Sequence, residues 1–315
     1  MSPSKVPPSG VWAPAITLFD PNTDSLCPEE QAKYYKYLST TGLAGLVILG
    51  TNAEAFLLTR HERRTLISTA RAAVGPSFPI MAGCGAHSTA QVLELIGDAA
   101  AAGANYTLVL PPAYFGKAST PAVVERFFDQ VAEKSPLPIV IYNFPGVCNG
   151  VDIDSDLITR LHHRHDNIVG VKLTCGSVAK VTKLSATVSP ENFAIFGGQS
   201  DFLLGALASG ASGCIAAFGN IAPRTIVRIY DLYREGKTKE ALELHQKAAL
   251  AEQPCKLGIA ATKYAAAQFT GPRAGIEGAV QLAKPRAPYE EPGEKVKETV
   301  RETMKELQEI EGKLA

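Results

Sequence analysis

The residues best suited to covalent chemistry are a lysine and a tyrosine, each near the end of a short apolar run. Lys172 follows the run 168–171, and Tyr142 lies near the end of the run 139–143. Short β-branched runs are typical of buried strands, and a lysine at the end of one is partly removed from water. This favours the neutral amine, which attacks ketone carbons. Since a nearby phenol can carry protons, the pair predicts an imine-forming enzyme.

A loop of small polar residues follows another apolar run, 43–49. Its sequence is Gly50-Thr51-Asn52-Ala53-Glu54. The glycine allows the backbone to approach a ligand closely. We expect the N–H groups of Thr51 and Asn52 to bind a small carboxylate and the Thr51 hydroxyl to pass a proton.

These segments belong to a regular alternation of apolar runs and amphipathic stretches. The runs cover 11–17, 43–49, 78–82, 104–110, 139–143, 168–173, 193–197 and 213–217. Eight such runs predict an α/β fold, a (β/α)8 TIM barrel with a C-terminal helical extension. An open doubly wound sheet is the alternative, but it usually has fewer strands. In a barrel, the residues at the C-terminal ends of the strands meet in one site.

The predicted organisation has three parts: a flexible arm over 1–10, the barrel over 11–223 and the helical extension over 224–315. The extension contains predicted helices at 224–235, 238–251 and 254–269. A segment rich in Pro and Gly, 271–293, leads to a last helix at 294–314. Apolar residues at steps of three and four form one stripe on this last helix, which must pack on the barrel or on a partner subunit.

Composition excludes several classes of function. Lys and Arg total 31, as do Asp and Glu, so no net charge attracts nucleic acid or an anionic membrane. No apolar run reaches the length of a membrane-spanning helix. The six cysteines and the histidines at 162, 163 and 165 lack metal-ligand spacing, so we expect no metal site. A chain of this length has a core and needs no disulfides, so we expect reduced thiols in a cytoplasmic protein. We expect no cofactor, because the imine itself serves as the electron sink.

Several motifs together resemble the dihydrodipicolinate synthase/N-acetylneuraminate lyase family over about residues 10–285. They are the Gly50 to Glu54 loop, Leu58-Thr59-Arg60-His61-Glu62-Arg63, Leu110-Pro111-Pro112-Ala113-Tyr114, Tyr142-Asn143-x-Pro145 and Gly170-Val171-Lys172. The resemblance implies that Lys172 forms a Schiff base with a 2-oxo acid such as pyruvate and that Tyr142 relays protons. It also implies that Thr51 links Tyr142 to Tyr114 of a neighbouring subunit, within a homotetramer.

The departures from the family concern the substrate. The synthase branch has an arginine after the tyrosine motif that holds a second carboxylate, whereas residues 146–150 contain no cation. Thr174, on the same strand face as Lys172, is similar to the sugar-acid aldolase branches, where a hydroxyl binds a polyhydroxy chain. The expected substrate-binding residues are Thr51, Asn52, Thr174, Gly198, Asp201 and Ala217.

The leading expectation is therefore cleavage of a 2-keto-3-deoxy sugar acid to pyruvate and a hydroxyaldehyde such as glyceraldehyde. Two alternatives within the family are 4-hydroxy-2-oxoglutarate aldolase and dihydrodipicolinate synthase. Two others lie outside this chemistry. One is a phosphate- or nucleotide-binding barrel that uses the glycines after strands seven and eight, and the other is a non-catalytic 2-oxo-acid binder.

Overall fold

The computed structural model describes residues 5–314, and its centre is a closed barrel of eight parallel strands. The strands pair in chain order, with the eighth closing on the first. They are β1 Gly10–Pro14, β2 Gly45–Ile48, β3 Ile80–Gly83, β4 Tyr106–Val109, β5 Ile139–Asn143, β6 Ile168–Leu173, β7 Ala194–Gly197 and β8 Gly213–Ile215. The prediction of a TIM barrel is confirmed.

One helix follows each strand and packs outside the barrel. The helices are α1 Pro28–Ser39, α2 Arg60–Val74, α3 Thr89–Ala101, α4 Pro121–Lys134, α5 Ser155–Arg164, α6 Val178–Thr187, α7 Leu203–Ala208 and α8 Pro223–Arg234. Five of these begin after a Ser, Thr or Asp whose side chain accepts a hydrogen bond from a backbone N–H of the first turn. Such caps define helix starts in the sequence itself.

The barrel interior is filled by large side chains. Trp12, the one tryptophan of the chain, is fully buried there, and its ring centroid lies 6.2 Å from both Tyr106 and Phe196. A second apolar layer lies between the strands and the surrounding helices. Since both faces of the strands are buried, the strands appear in the sequence as nearly continuous apolar runs.

The two ends of the predicted barrel differ in detail from the sequence-based boundaries. Residues 1–4 of the predicted flexible arm lie outside the described residues. Residues 5–9 lie against the barrel, where the Trp12 indole donates a hydrogen bond to the Pro8 carbonyl at 3.1 Å. At the other end, α8 follows β8 and packs against β1. Residues 224–234 therefore complete the eighth strand–helix unit rather than begin the extension.

The extension consists of α9 Thr238–Cys255, α10 Ile259–Phe269, the short α11 Ala279–Leu282, α12 Glu294–Thr303 and α13 Lys305–Lys313. The last predicted helix is thus two helices that meet at Met304. Its apolar stripe packs on α8, α9 and α10 of the same chain, with Val300, Met304 and Leu307 buried. No helix in residues 5–314 has the length and apolar character needed to cross a membrane.

Candidate active site

The amine of Lys172 lies beside the phenol of Tyr142 within the barrel. The two residues are register partners on β6 and β5. Lys172 is only 3% exposed, and its Nζ donates a hydrogen bond to the Tyr142 hydroxyl at 3.2 Å. The Thr51 hydroxyl lies 3.4 Å from the same oxygen. Amine, phenol and hydroxyl therefore form a continuous series of groups that can exchange protons.

A local irregularity in β6 precedes the lysine. Ile139 of β5 pairs with Ile168, but the next residue, Val140, pairs with Gly170, so β6 contains one extra residue. A bulge of this kind changes the direction of the side chains that follow it and is frequent beside active sites. The sequence pattern did not indicate the bulge, because an extra residue inside an apolar run leaves no local mark.

The end of β5 is held by the buried amide of Asn143. Its Nδ2 donates to Asp152 at 2.6 Å, and its Oδ1 accepts from the backbone N–H of Ile153 at 2.9 Å. Burial alone would raise the pKa of Asp152, but hydrogen bonds from Lys180 and Asn143 and the charge of Lys180 hold it below the ordinary value. The Asn143 carbonyl also accepts from the Thr174 N–H at 2.9 Å, which joins the ends of β5 and β6.

The loop that carries Thr51 is fixed by the C-terminal extension. Thr51 and Asn52 lie in a 3-10 turn, Thr51–Ala53, and Glu54 follows with a positive φ of 56°. The Glu54 carboxylate is buried and accepts hydrogen bonds from the Lys263 ammonium and from the Arg286 backbone N–H, the latter at 2.8 Å. The position of the Thr51 hydroxyl therefore depends on residues of α10 and of the segment before α12.

Tyr114 does not join the other site residues within one chain. Its side chain is 72% exposed. Its ring centroid lies 5.7 Å from that of His87 and 5.3 Å from that of Phe115. Phe115 and Phe56 are also exposed, so this part of the described surface presents several aromatic rings to its surroundings.

Thr174 and Gly198 face each other at the ends of β6 and β7. The Thr174 hydroxyl oxygen is buried and has no hydrogen-bond partner among residues 5–314. A Cβ atom added to Gly198 would lie 2.0 Å from that oxygen, so this contact requires glycine. The Gly198 N–H donates to the Leu173 carbonyl at 2.9 Å and continues the strand pairing to this point.

The other two predicted substrate-binding residues lie at the rim of the same barrel end. Asp201 forms an ion pair with Lys256, which lies just beyond α9. Ala217 is half-buried and begins the 3-10 turn Ala217–Asn220 after β8. Its carbonyl accepts a hydrogen bond from the Asn220 amide at 2.9 Å.

A cavity of about 520 Å³ lies next to the catalytic candidates. Thr51 and Phe56 line one side, and residues 258–260 and Tyr289 of the extension line the other. Lys172 is not among its lining residues, whereas a much smaller recess of about 20 Å³ is lined by both Thr51 and Tyr142. The Thr51 loop therefore lies between this cavity and the buried side chains of Tyr142 and Lys172.

Sequence reasoning missed the contact between Ser200, in the loop after β7, and two residues of the helix behind that loop. Ser200 is buried, and it binds His245 and Glu252, both on α9. A signal was present, because two polar residues interrupt the alanine-rich buried face of an amphipathic helix.

Within residues 5–314 no group of three or more His, Cys, Asp or Glu is arranged to hold a metal ion, and all six cysteines are free.

Comparison with known proteins adds a family assignment. Residues 7–307 match the model of the Dihydrodipicolinate synthetase family. A Coccidioides immitis protein provisionally named mitochondrial 4-hydroxy-2-oxoglutarate aldolase is 62% identical over 99% of both chains. An Emericella nidulans protein with a similar provisional name is 41% identical over 83% of this chain and 85% of its own. L-threo-3-deoxy-hexylosonate aldolase of Hypocrea jecorina is 38% identical over 86% of this chain and 89% of its own.

Among solved structures, one similar chain is a prophage protein of the dihydrodipicolinic acid synthase family from Escherichia coli K12, in complex with pyruvate. It superposes with a TM-score of 0.84 at 27% identity and covers 95% of this chain and 98% of its own.

These relatives correct one expectation and confirm another. The expected cytoplasmic location is wrong, because the relatives at 62% and 41% identity are both named as mitochondrial proteins. The expectation of an enzyme is confirmed by the names of the relatives, which are aldolases. Since the family match spans nearly all of the chain, this protein is an aldolase of the dihydrodipicolinate synthetase family.

Proposed function

We propose that Lys172 forms a Schiff base with the keto carbon of a 2-oxo acid and that the reaction releases pyruvate. The observation that carries this proposal is the buried Lys172 amine, 3.2 Å from the Tyr142 hydroxyl. The pyruvate complex of the Escherichia coli relative supports a 2-oxo acid as the ligand. The amine attacks the carbonyl carbon, water leaves, and the protonated imine then accepts the electron pair of the bond that breaks.

In the proposed cleavage step, Tyr142 takes the proton of the substrate hydroxyl at C4 while the C3–C4 bond breaks. The electron pair moves into the imine to give an enamine, and the aldehyde departs. Protonation of the enamine at C3 and hydrolysis of the imine release pyruvate and restore the lysine. Thr51, 3.4 Å from the Tyr142 oxygen, passes the proton onward.

We infer that the aldehyde half, the part of the substrate released as the aldehyde, is a neutral hydroxyaldehyde such as glyceraldehyde. The segment 146–150 offers no cation to a second carboxylate. The unpartnered Thr174 hydroxyl beside Gly198 suits a substrate hydroxyl instead. The substrate class is then a 2-keto-3-deoxy sugar acid, in keeping with the deoxy-hexylosonate aldolase names of relatives at 38% and 36% identity.

A second candidate substrate is 4-hydroxy-2-oxoglutarate, which would release glyoxylate. The name of the relative at 62% identity favours it. This substrate has a second carboxylate, so the enzyme would need a cation from outside segment 146–150.

The names of the relatives at 62% and 41% identity support a mitochondrial location, which fractionation of the host cell with an antibody against the chain would test.

The proposed chemistry is tested by reduction with borohydride in the presence of pyruvate, followed by mass spectrometry of the peptides. We expect one adduct per chain, on the peptide that contains Lys172. Lys172→Ala should give no adduct and no turnover, whereas the surface variant Lys305→Ala should behave as the wild type. An adduct on any other lysine would exclude the assignment.

A further inference from the structure

The loop after β7 is held from behind by one face of α9. Ser200 is the centre of this contact: its hydroxyl donates to a Glu252 carboxylate oxygen at 2.7 Å, and its N–H lies 3.5 Å from the other oxygen. Its carbonyl oxygen lies 2.7 Å from the Nε2 atom of His245. The helix α9 therefore binds the N–H, the carbonyl and the side chain of this one loop residue. It does so through two side chains that lie two turns apart on the helix.

The neighbouring loop residues are tied to the same helix end. Lys256 forms its ion pair with Asp201 and donates to the Gln199 side chain at 3.3 Å. On the opposite side the loop touches the proposed site directly, because Gly198 lies against the Thr174 hydroxyl. Ser200, held by α9, and Gly198, in contact with Thr174, are thus two residues apart in the same short loop.

The contact geometry suits an ionised Glu252, because both groups that Ser200 presents to it are donors. Protonation would turn one carboxylate oxygen into a donor, and the Ser200 hydroxyl would then have to reverse its role and accept. Burial raises the pKa of Glu252 to about 7 and lowers that of His245, so Glu252 changes its protonation state near neutral pH while His245 is neutral there. The other titratable groups that face Glu252 are Asp201, Lys256, Cys214 and Cys255.

Asp201 and Lys256 are paired with each other. Burial raises the pKa of both cysteine thiols, in Cys255 to about 12, so they stay neutral.

We propose that Glu252 and His245 are positioning residues that hold the β7 loop against Thr174 and thereby set the fit of the aldehyde half of the substrate. The inference rests on the proposed function, because it assigns this loop to the aldehyde and the Lys172 region to pyruvate. It predicts that a change at this contact affects the two substrates of the condensation reaction differently. Binding of the aldehyde depends on the contact with α9, and binding of pyruvate does not.

The test measures the condensation of pyruvate with glyceraldehyde, and in parallel with glyoxylate, from pH 6 to 8.5. Glu252→Gln keeps the size of the side chain but faces Ser200 with an amide donor. We expect KM for the aldehyde to rise about tenfold, equivalent to ~1.4 kcal/mol of binding, while KM for pyruvate stays within about twofold. In the wild type KM for the aldehyde should rise as the pH falls below about 7, and in Glu252→Gln this rise should be absent.

Three further variants separate positioning from a general loss of structure. Glu311→Gln removes another fully buried carboxylate, one that caps α8, and should leave both KM values unchanged. If Glu252→Gln does not fold, His245→Ala should show the same effect, a higher KM for the aldehyde with an unchanged KM for pyruvate. His245→Gln retains a hydrogen-bond donor and should recover part of the aldehyde binding.

Each outcome decides one of the two proposals. A wild type that condenses pyruvate only with glyoxylate excludes the proposed substrate class, and the KM comparison is then made with glyoxylate. An active wild type whose Glu252→Gln and His245→Ala variants keep the aldehyde KM, or raise both KM values equally, overturns the positioning role.

Discussion

The buried ion pair between Glu54 and Lys263 provides a quantitative test of how the extension holds the loop that carries Thr51. The two side chains are 2% and 0% exposed. Burial lowers the pKa of Lys263, and the charge of Glu54 opposes that shift. The Lys263 ammonium also donates to the Lys284 carbonyl at 3.0 Å and lies 4.6 Å from the centre of the Phe19 ring.

Lys263→Met keeps most of the side-chain volume but leaves the Glu54 carboxylate buried with only the Arg286 N–H as a donor. Breaking one partner of a buried pair costs about 3–5 kcal/mol. The double variant Lys263→Met/Glu54→Gln removes the unpaired charge and retains an acceptor for Arg286. It should therefore be more stable than Lys263→Met, which is the opposite of additive behaviour.

The assay is urea unfolding at pH 7.5 and one fixed protein concentration, followed by the fluorescence of Trp12 in the barrel interior. Lys305→Met is the matched control, because its ion pair with Glu302 is 68% and 63% exposed and should contribute at most about 1 kcal/mol. A cost below about 1 kcal/mol for Lys263→Met, or a double variant no more stable than Lys263→Met, would refute the reasoning.

Four other outcomes follow from the site. Tyr142→Phe should leave the fold intact and slow turnover by ~10²–10⁴, and Thr51→Val should act in the same direction; wild-type rates in both would exclude the proton relay. A mixture of inactive Lys172→Ala and inactive Tyr114→Phe chains should regain activity if Tyr114 completes a neighbouring site in the homotetramer that the family resemblance implies, and sedimentation of a fully active monomer would contradict this. The kcat/KM for condensation of pyruvate with glyceraldehyde should exceed that with glyoxylate, and a preference for glyoxylate of more than about tenfold would move the assignment to the second candidate. Since the folded state raises the pKa of Glu252 from 4.5 to about 7, it holds a proton more tightly than the unfolded chain, so the free energy of unfolding should fall by about 3 kcal/mol from this one group as the pH rises through that window. Urea unfolding of Glu252→Gln should show a smaller fall, and an unchanged pH dependence would count against a buried, titrating carboxyl.

The fold was predictable because its signals are local. Apolar runs alternate eight times with helices, five of which begin at a side-chain cap. A closed barrel is the arrangement that buries both faces of eight parallel strands. The proximity of Tyr142 and Lys172 was predictable for the same reason, since β5 and β6 are consecutive and therefore adjacent.

Sequence periodicity could not indicate contacts between distant parts of the chain. Glu54 meets Lys263 across 209 positions, and Ser200 meets Glu252 across 52, with nothing in either local pattern that names the partner. Composition likewise did not indicate the mitochondrial location that the names of the relatives support.

The sequence by itself determined the class of fold and the strand ends that carry the proposed chemistry, because side-chain periodicity and strand order depend on neighbours along the chain. Only the tertiary structure decided how the amine, phenol and hydroxyl are spaced and which helices of the extension hold their loops. Those distances result from side chains that pack and pair across the whole molecule. Burial makes these polar interactions stronger and their loss more costly.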